Sequence, residues 1–389
     1  MMVVRGEFDE RTVVELCREL IAVPSPTGEE GALADLLANR MRDLGYDVAV
    51  DALGNVLGCI DGGSPGPRVL LDAHLDTVEV PDPGSWTVDP FGAREMGGRI
   101  YGRGSSDMKG ALAAMVLAAA RFAEERDGFA GQVLVSGTVA EETFEGVAAR
   151  AVGEKVDPDL VIIGESTGLH VNRGGRGRAE ISLITAGRSA HSSNPSEGRN
   201  AVYAMAEAIR HLQNMQPPEH PELGRGILEL TDIISSPYPG ASVVPDRCTA
   251  TYDRRVLPGE DREGVINELT GEIAHLDDVR AALVWAEMET WTGHTLGAER
   301  FFPAWIYPID DPDLIRVTVA LEGRGLYRGT GTYSFCTNAA HWAGSAGVPT
   351  FGYGPSREEI AHIPDEYLEI EELVEAASGY RAILEGLMK

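Results

Sequence analysis

The sequence predicts an α/β fold, a mostly parallel sheet flanked by helices, interrupted by a smaller α+β unit. Three observations carry this expectation. Apolar runs of strand length alternate with amphipathic helical stretches through the first part of the chain. After "NRGGRGRAEISLITAG" the texture changes to shorter elements and polar loops. Finally, 389 residues, 43% of them hydrophobic, are too many for one compact core and point to two domains.

Taken in order, "FDERTVVELCRELIAV" has helical spacing and stops at Pro24, and "EEGALADLLANRMRDLG" is a second amphipathic helix closed by Gly45. "VLLDAHLDTV" reads as a strand, "KGALAAMVLAAARFAEE" as a long buried helix, and "QVLVSGTVA" and "DLVIIGE" as further strands. In sheets of this kind, sites form beyond the carboxyl ends of the strands. From about Ala179 come a strand, the loop "GRSAHSSNPSEGRN", a helix at "AVYAMAEAIRHLQNM", strands around "GILELTDII" and "RCTATYDRRV", a helix after "PGEDREGV" and a strand at "ALVWAEME". That β-α-β-β-α-β order is the ferredoxin-like plan of a self-sufficient small domain. Longer helices and the strand "PTFGYG" return from roughly Gly293. The expected division is therefore 1–177 and 294–389 for the two parts of the larger domain, with 178–293 inserted between them.

Composition narrows the partners. With 33 Lys and Arg against 61 Asp and Glu, the formal net charge is −28, which argues against nucleic acid and anionic membrane and for high solubility. An anionic substrate would have to be captured by locally placed arginines. The opening "MMVVRGEFDERTVVELCREL" is charged where a signal peptide needs an apolar stretch, and no apolar run reaches the roughly 18 residues of a membrane helix. A soluble, cytoplasmic protein is expected. Cys17, Cys59, Cys248 and Cys336 lie far apart with no CxxC pair, so neither a disulfide framework nor a thiolate metal site is indicated. Any bound metal must be held by His and carboxylate.

Residues 69–80, "VLLDAHLDTVEV", raise that possibility. Asp72, His74 and Asp76 interrupt an apolar strand at alternate positions, which places them on one face and Leu71, Ala73 and Leu75 on the other. Other polar groups sit at or just after strand ends: Asp107 in "YGRGSSDMKG", Glu141-Glu142 in "VAEETFEG", Glu165 in "VIIGEST" and His362 in "AHIPDE". Each alone has an ordinary reading. Asp107 could cap a helix starting at Met108, His362 could be a surface histidine, and Glu-Glu also occurs at 29–30, 124–125, 358–359 and 371–372, where a solvated face explains it. Together, two histidines and three carboxylates can hold two divalent ions if one carboxylate bridges them. Asp107, short and at a loop-to-helix junction, is the natural bridge. Asp76 is placed to accept the second ring N–H of His74. Of two adjacent glutamates, one can ligate while the other stays free as a base.

The order "HLDT … GRGSSDMKG … EE … GES … H" resembles the superfamily of dinuclear zinc metallohydrolases that includes aminoacylase, acetylornithine deacetylase, succinyl-diaminopimelate desuccinylase and glutamate carboxypeptidase, over nearly the whole chain. "NRGGRGRAEI", "WTG" followed by "FFPAW", and "CTNAAHWAGSAGVPTFGYGP" are similar to a branch of it linked to selenium metabolism. The resemblance implies that His74, Asp107 and Glu165 ligate one ion, that Asp107, Glu142 and His362 ligate the other, that Glu141 is the general base and that Asp76 orients His74. It further implies that the inserted domain is a dimerisation lid, that His191 in "GRSAHSSNPSEGRNA" reaches the site of the partner subunit to steady the oxyanion, and that Arg254 in "YDRRVLPGED" grips the substrate carboxylate, with Arg255 as the alternative. Two departures stand out: Ser242 where relatives often have Asn before the "VVPD" turn, and Glu165 where some have Asp.

Other readings are weaker. "GESTG" at 164–168 fits the serine-hydrolase pattern, but that elbow must lead into a helix and "LHVNRGGRGRAEI" is Gly/Arg-rich and then strand-like. A non-catalytic binding or scaffold relative should lack Glu141 or a ligand, and none is missing. The expectation is a homodimeric amidohydrolase with two divalent ions per subunit, zinc foremost and cobalt or manganese as alternatives. Its substrate would be an N-acyl amino acid, of deacetylase or desuccinylase type, or a short peptide with a free carboxylate; a dipeptidase or carboxypeptidase of the same fold is the alternative.

Overall fold

A computed structural model describes residues 9–388. The middle of its main sheet is four parallel strands, Phe129–Thr138, Gly63–His74, Leu160–Ile163 and Thr350–Gly352, adjacent in that order. Antiparallel pairs extend both sides: Asp47–Val50 with Val56–Asp61 beside Phe129–Thr138, and Val171–Gly175 with Trp305–Ile306 beyond Thr350–Gly352. The parallel strands are apolar on both faces because both are covered. Leu71, Ala73, Val133, Val135 and Ile162 pack against the helices Glu10–Ile21, Gly31–Asp43, Gly110–Glu124 and Ile370–Leu387. Leu70, Leu134, Val161 and Ile163 pack on the opposite side against Val152 of the helix Val147–Val156 and against Trp342. The alternation of a strand thus feeds two cores at once.

Register then prepares a rim. His74 lies opposite Thr138, and Asp72 opposite Ile163, so three parallel strands finish within a residue or two of one another at the same edge. The segments that follow carry Asp76, Glu141 with Glu142, and Glu165 away from that edge, the position at which parallel α/β sheets place their sites.

A second, antiparallel sheet has the order Ile227–Ser236, Arg247–Val256, Gly177–Ala186, Val279–Leu283. The helices Ala201–Leu212 and Arg262–Ile273 cover it through a separate core that includes Ile181, Leu183, Met205, Ala250, Tyr252 and Leu269. Asn200 and Asp261 cap these helices by accepting from the N–H groups of Val202 and Gly264. One expected strand divides: "ALVWAEME" contributes Val279–Leu283 to this sheet, whereas Trp285–Glu289 pairs with Thr295–Glu299 in a hairpin of its own. Phe301–Phe302 then returns to pair with Gly177–Ala186, so strands of this sheet reach beyond residue 293. Among the described residues, no helix is long and apolar enough to cross a membrane.

His341, in the turn Ala340–Ser345, packs on Trp342 with ring centroids 5.0 Å apart. Burial, reinforced by the charge of Arg150, pushes its imidazole down to about 4. The unfolded chain therefore binds a proton here before the folded one does. The stabilisation is full above about pH 6.5 and is lost as pH falls towards 4, by roughly 2 to 3 kcal/mol. His341→Gln should flatten the dependence of unfolding free energy on pH across that window; an unchanged slope in chemical denaturation would rule this account out.

Candidate metal centre

His74 is the last residue of its strand, so Asp76 belongs to the loop beyond it rather than to the same strand face. The structure brings His74, Asp107, Glu141, Glu142, Glu165 and His362 together. The two oxygens of Asp107 divide between the histidines: Oδ1 is 2.9 Å from His74 Nε2 and Oδ2 is 3.0 Å from His362 Nε2. Glu165 flanks the first ring at 3.6 Å and Glu142 the second at 3.1 Å. Glu141 stands 4.0 Å from His74 Nε2, and its other oxygen, Oε1, is buried without a hydrogen-bond partner. Donor atoms of His74, Asp107 and Glu142 lie within 4.8 Å of one another, as do those of His74, Glu141 and Glu165.

The supports of these groups are unequal to what sequence predicts. His74 Nδ1 does meet Asp76, but through the main-chain carbonyl at 2.8 Å; the Asp76 carboxylate is 3.5 Å away. That carboxylate instead accepts from the N–H groups of Glu141 at 3.0 Å and Glu142 at 3.1 Å, and from Thr27 Oγ1 at 2.8 Å. It therefore holds the turn that aims both glutamates. The turn is strained, with Ala140 at φ 57°, and Glu30 secures it by accepting the Ala140 N–H. His362 also sits at positive φ, 63°.

Asp107 lies in the segment Ser105–Lys109, ahead of a helix that begins at Gly110 rather than Met108. Its N–H and that of Ser106 both donate to Glu366 Oε1, while Glu366 Oε2 pairs with Arg103 at 2.5 Å. Asp72 points away from this work. Fully buried, it accepts from Ser136, Asn338 and Trp342, and burial pushes its carboxyl up to about 6.

Charge crowding shows what the cluster could hold. Burial and neighbouring carboxylates push Glu141, Glu142 and Glu165 up, Glu141 and Glu165 strongly. Burial opposes a charged His74, yet hydrogen bonds to Asp107 and Asp76 carry it well above its ordinary value, and bonds to Asp107 and Glu142 raise His362 to about 10. The groups thus compete for protons to neutralise one another. Four carboxylates, when ionised, carry the charge that two divalent cations offset, and imidazole with carboxylate suits borderline and hard dications. The donor set fits such ions.

The cluster opens into a cavity of about 520 Å³ that is also lined by Arg178, Arg255, Phe335 and Cys336. A larger cavity of about 770 Å³ between Arg150, Trp285 and His341 contains none of the six clustered side chains. Volume alone does not identify the site.

Arg254 is not in the cavity. It is completely buried in the second sheet's core face, donating to Glu260 at 2.5 Å and Glu268 at 3.1 Å. The reason is strand alternation: Cys248, Ala250, Tyr252 and Val256 point inward, so Arg254 does too and Arg255 points out. Arg255 faces Arg178 directly across the ladder. That signal was present in "RCTATYDRRV"; Arg178, Glu30, Arg103, Glu366 and Asn338 left none that local sequence could reveal. His191 is exposed and does not line the cavity; its Nδ1 accepts from Ser193 N–H, and Val243, next to Ser242, bridges it.

Residues 70–386 match the model of Peptidase family M20/M25/M40. The chain is 34% identical over 378 residues to the uncharacterized protein YgeY of Escherichia coli strain K12, covering 94% of this chain and 92% of that one. It is 30% identical over 388 residues to the acetylornithine deacetylase of Proteus mirabilis, covering 92% of each. Among solved structures, aminopeptidase PepT from Bacillus cereus has the same fold, with a TM-score of 0.74 at 21% identity over 98% of this chain and 100% of that one.

Asp76→Ala should reduce turnover by about 10- to 100-fold, the usual cost of losing a supporting partner, without removing the acceptor of His74 Nδ1, which is main chain. Metal content and turnover measured side by side would check this. Wild-type turnover would show that the Glu141–Glu142 turn needs no such anchor.

Proposed function

Because the chain belongs to peptidase family M20/M25/M40 and is thus a hydrolase of amide or peptide bonds, we propose that it cleaves the amide of an N-acyl amino acid, or of a short peptide with a free carboxylate. The observation that carries this is Asp107, one carboxylate shared between two histidines beside a buried glutamate with an unpartnered oxygen. In this reading Asp107 would be shared by two divalent ions, zinc foremost; His74 and Glu165 would hold one of them with it, and Glu142 and His362 the other. Such ions, when bound, polarise the scissile carbonyl and make water a stronger acid.

The chain's own residues supply the proton chemistry. Glu141 takes a proton from the attacking water as its oxygen adds to the carbonyl carbon. It then returns that proton to the amine nitrogen as the C–N bond breaks, leaving a carboxylic acid and an amine, and the acid's remaining proton passes to the amine to give carboxylate and ammonium. The Asp76 anchor fixes where Glu141 stands. Arg255, with Arg178 opposite, receives the free carboxylate of the substrate; Asp253 occupies one nitrogen of each guanidinium and orients the pair. The likeness to a deacetylase supports acyl removal over peptide cleavage.

The second sheet is read as a lid through which two subunits pair, in a cytoplasmic homodimer. Its edge strand Ile227–Ser236 presents Ile233 and Ile234 about half exposed, and His191, solvent-facing on its own subunit, is available to stabilise the oxyanion in its neighbour's site.

Glu141→Gln should keep the metal content of the wild type while turnover falls by about 10²- to 10⁴-fold; retained turnover would remove Glu141 from the role of base. The two arginines should separate cleanly. Arg255→Ala should raise KM for carboxylate-bearing substrates by about 10- to 100-fold, the worth of a charge-assisted hydrogen bond. Arg254→Ala should leave KM alone and cost about 1–3 kcal/mol of stability, because it strands two half-buried acids, Glu260 and Glu268. The reverse pattern in steady-state kinetics and denaturation would restore Arg254 as the substrate ligand.

A further inference from the structure

We propose that His211 and His275 form an additional, solvent-facing site for a divalent transition-metal ion on the helical side of the second sheet, separate from the Asp107 centre. His211 lies in the last turn of the helix Ala201–Leu212, and His275 lies two residues beyond the helix Arg262–Ile273. Their Nε2 atoms are 3.0 Å apart.

The two nitrogens are close enough to share a ligand. The ring centroids lie 4.3 Å apart in an edge-on arrangement with planes inclined at 74°, and without an ion one ring's N–H donates to the other ring's nitrogen. A bound ion would take the place of that hydrogen. At ~2.0–2.1 Å from each imidazole nitrogen, neighbouring ligands stand about 2.9 Å apart at a square or octahedral ion and about 3.4 Å apart at a tetrahedral one, so a small rotation of one exposed ring turns the hydrogen-bonded pair into a chelate.

The surroundings suit a cation. Both histidines sit at the carboxyl ends of their helices, where unsatisfied carbonyls concentrate negative potential, in a chain of net charge −28. Among the described residues, no carboxylate or guanidinium is paired with either ring, so only the hydrogen bond between the two rings has to open. Two imidazole ligands with the remaining positions left to water select zinc, copper or nickel over magnesium, calcium or manganese. Such an ion would clasp two helices that share the core residues Met205, Ala208 and Leu269. It would also exchange more readily than an ion enclosed by carboxylates at the Asp107 centre.

The test uses the full-length enzyme with its hydrolytic centre already loaded with zinc, titrated with Ni2+ by calorimetry and with Cu2+ by electron paramagnetic resonance. One further equivalent should bind, with nitrogen hyperfine structure from two imidazoles, and Ni2+ should raise the thermal midpoint. His211→Ala and His275→Ala should each weaken this binding by about tenfold or more, abolish the thermal shift and leave turnover unchanged, which also shows that the variants fold. The proposal is overturned if the wild type takes up nothing beyond the hydrolytic centre, if the double variant H211A/H275A binds the same equivalent, or if Mg2+ binds as well as Ni2+.

Discussion

The centre depends on one carboxylate being held still between two imidazoles. Asp107 offers Oδ1 to His74 and Oδ2 to His362 at nearly equal distances. A side chain free to rotate would favour one over the other. It is held because two successive N–H groups donate to Glu366, and Glu366 is in turn pinned by Arg103 in a buried ion pair. Burial alone would drive Glu366 towards its neutral form, and its carboxyl is pushed up to about 7. Arg103 and the N–H donors oppose that push. The buried pair thus matters for placement more than for net stability, since such pairs seldom outweigh their own desolvation.

A second constraint acts on the glutamates. Three parallel strands in register bring their ends to one rim, but adjacent residues on an extended chain point apart, so Glu141 and Glu142 need a turn that breaks the alternation. That turn has an alanine in the left-handed region and survives because Glu30 and Asp76 take up its N–H groups. Strain is tolerated where surrounding contacts over-determine it. The same economy appears in the second sheet, where one residue of strand register separates a structural arginine from one that faces the cavity.

Much of this was legible in the chain. The parallel core strands, the long Ala-rich helix and the compact second unit follow from apolar periodicity, and the carboxylates and histidines after strand ends follow from the rule that sites gather there. The misreadings share a cause. Counting in twos puts Asp72 and Asp76 on the face of His74, but the strand ends at His74, and a buried polar cluster of Ser136, Asn338 and Trp342 claims Asp72. "ALVWAEME" looked continuous because hydrophobic pattern cannot see where a strand leaves one sheet for a hairpin.

What the sequence determined by itself was the inventory: which residues alternate, which segments must be buried, and which acids and histidines follow the strands. These are local properties, set by side-chain type and by the periods of strand and helix. Which of those groups meet was decided only by the tertiary structure. Glu366 lies 259 positions from Asp107 and His362 lies 220 from Glu142, yet each pair is in contact. No local propensity specifies such a meeting, because it depends on the register of whole strands and on the packing of helices that bring the distant segments back.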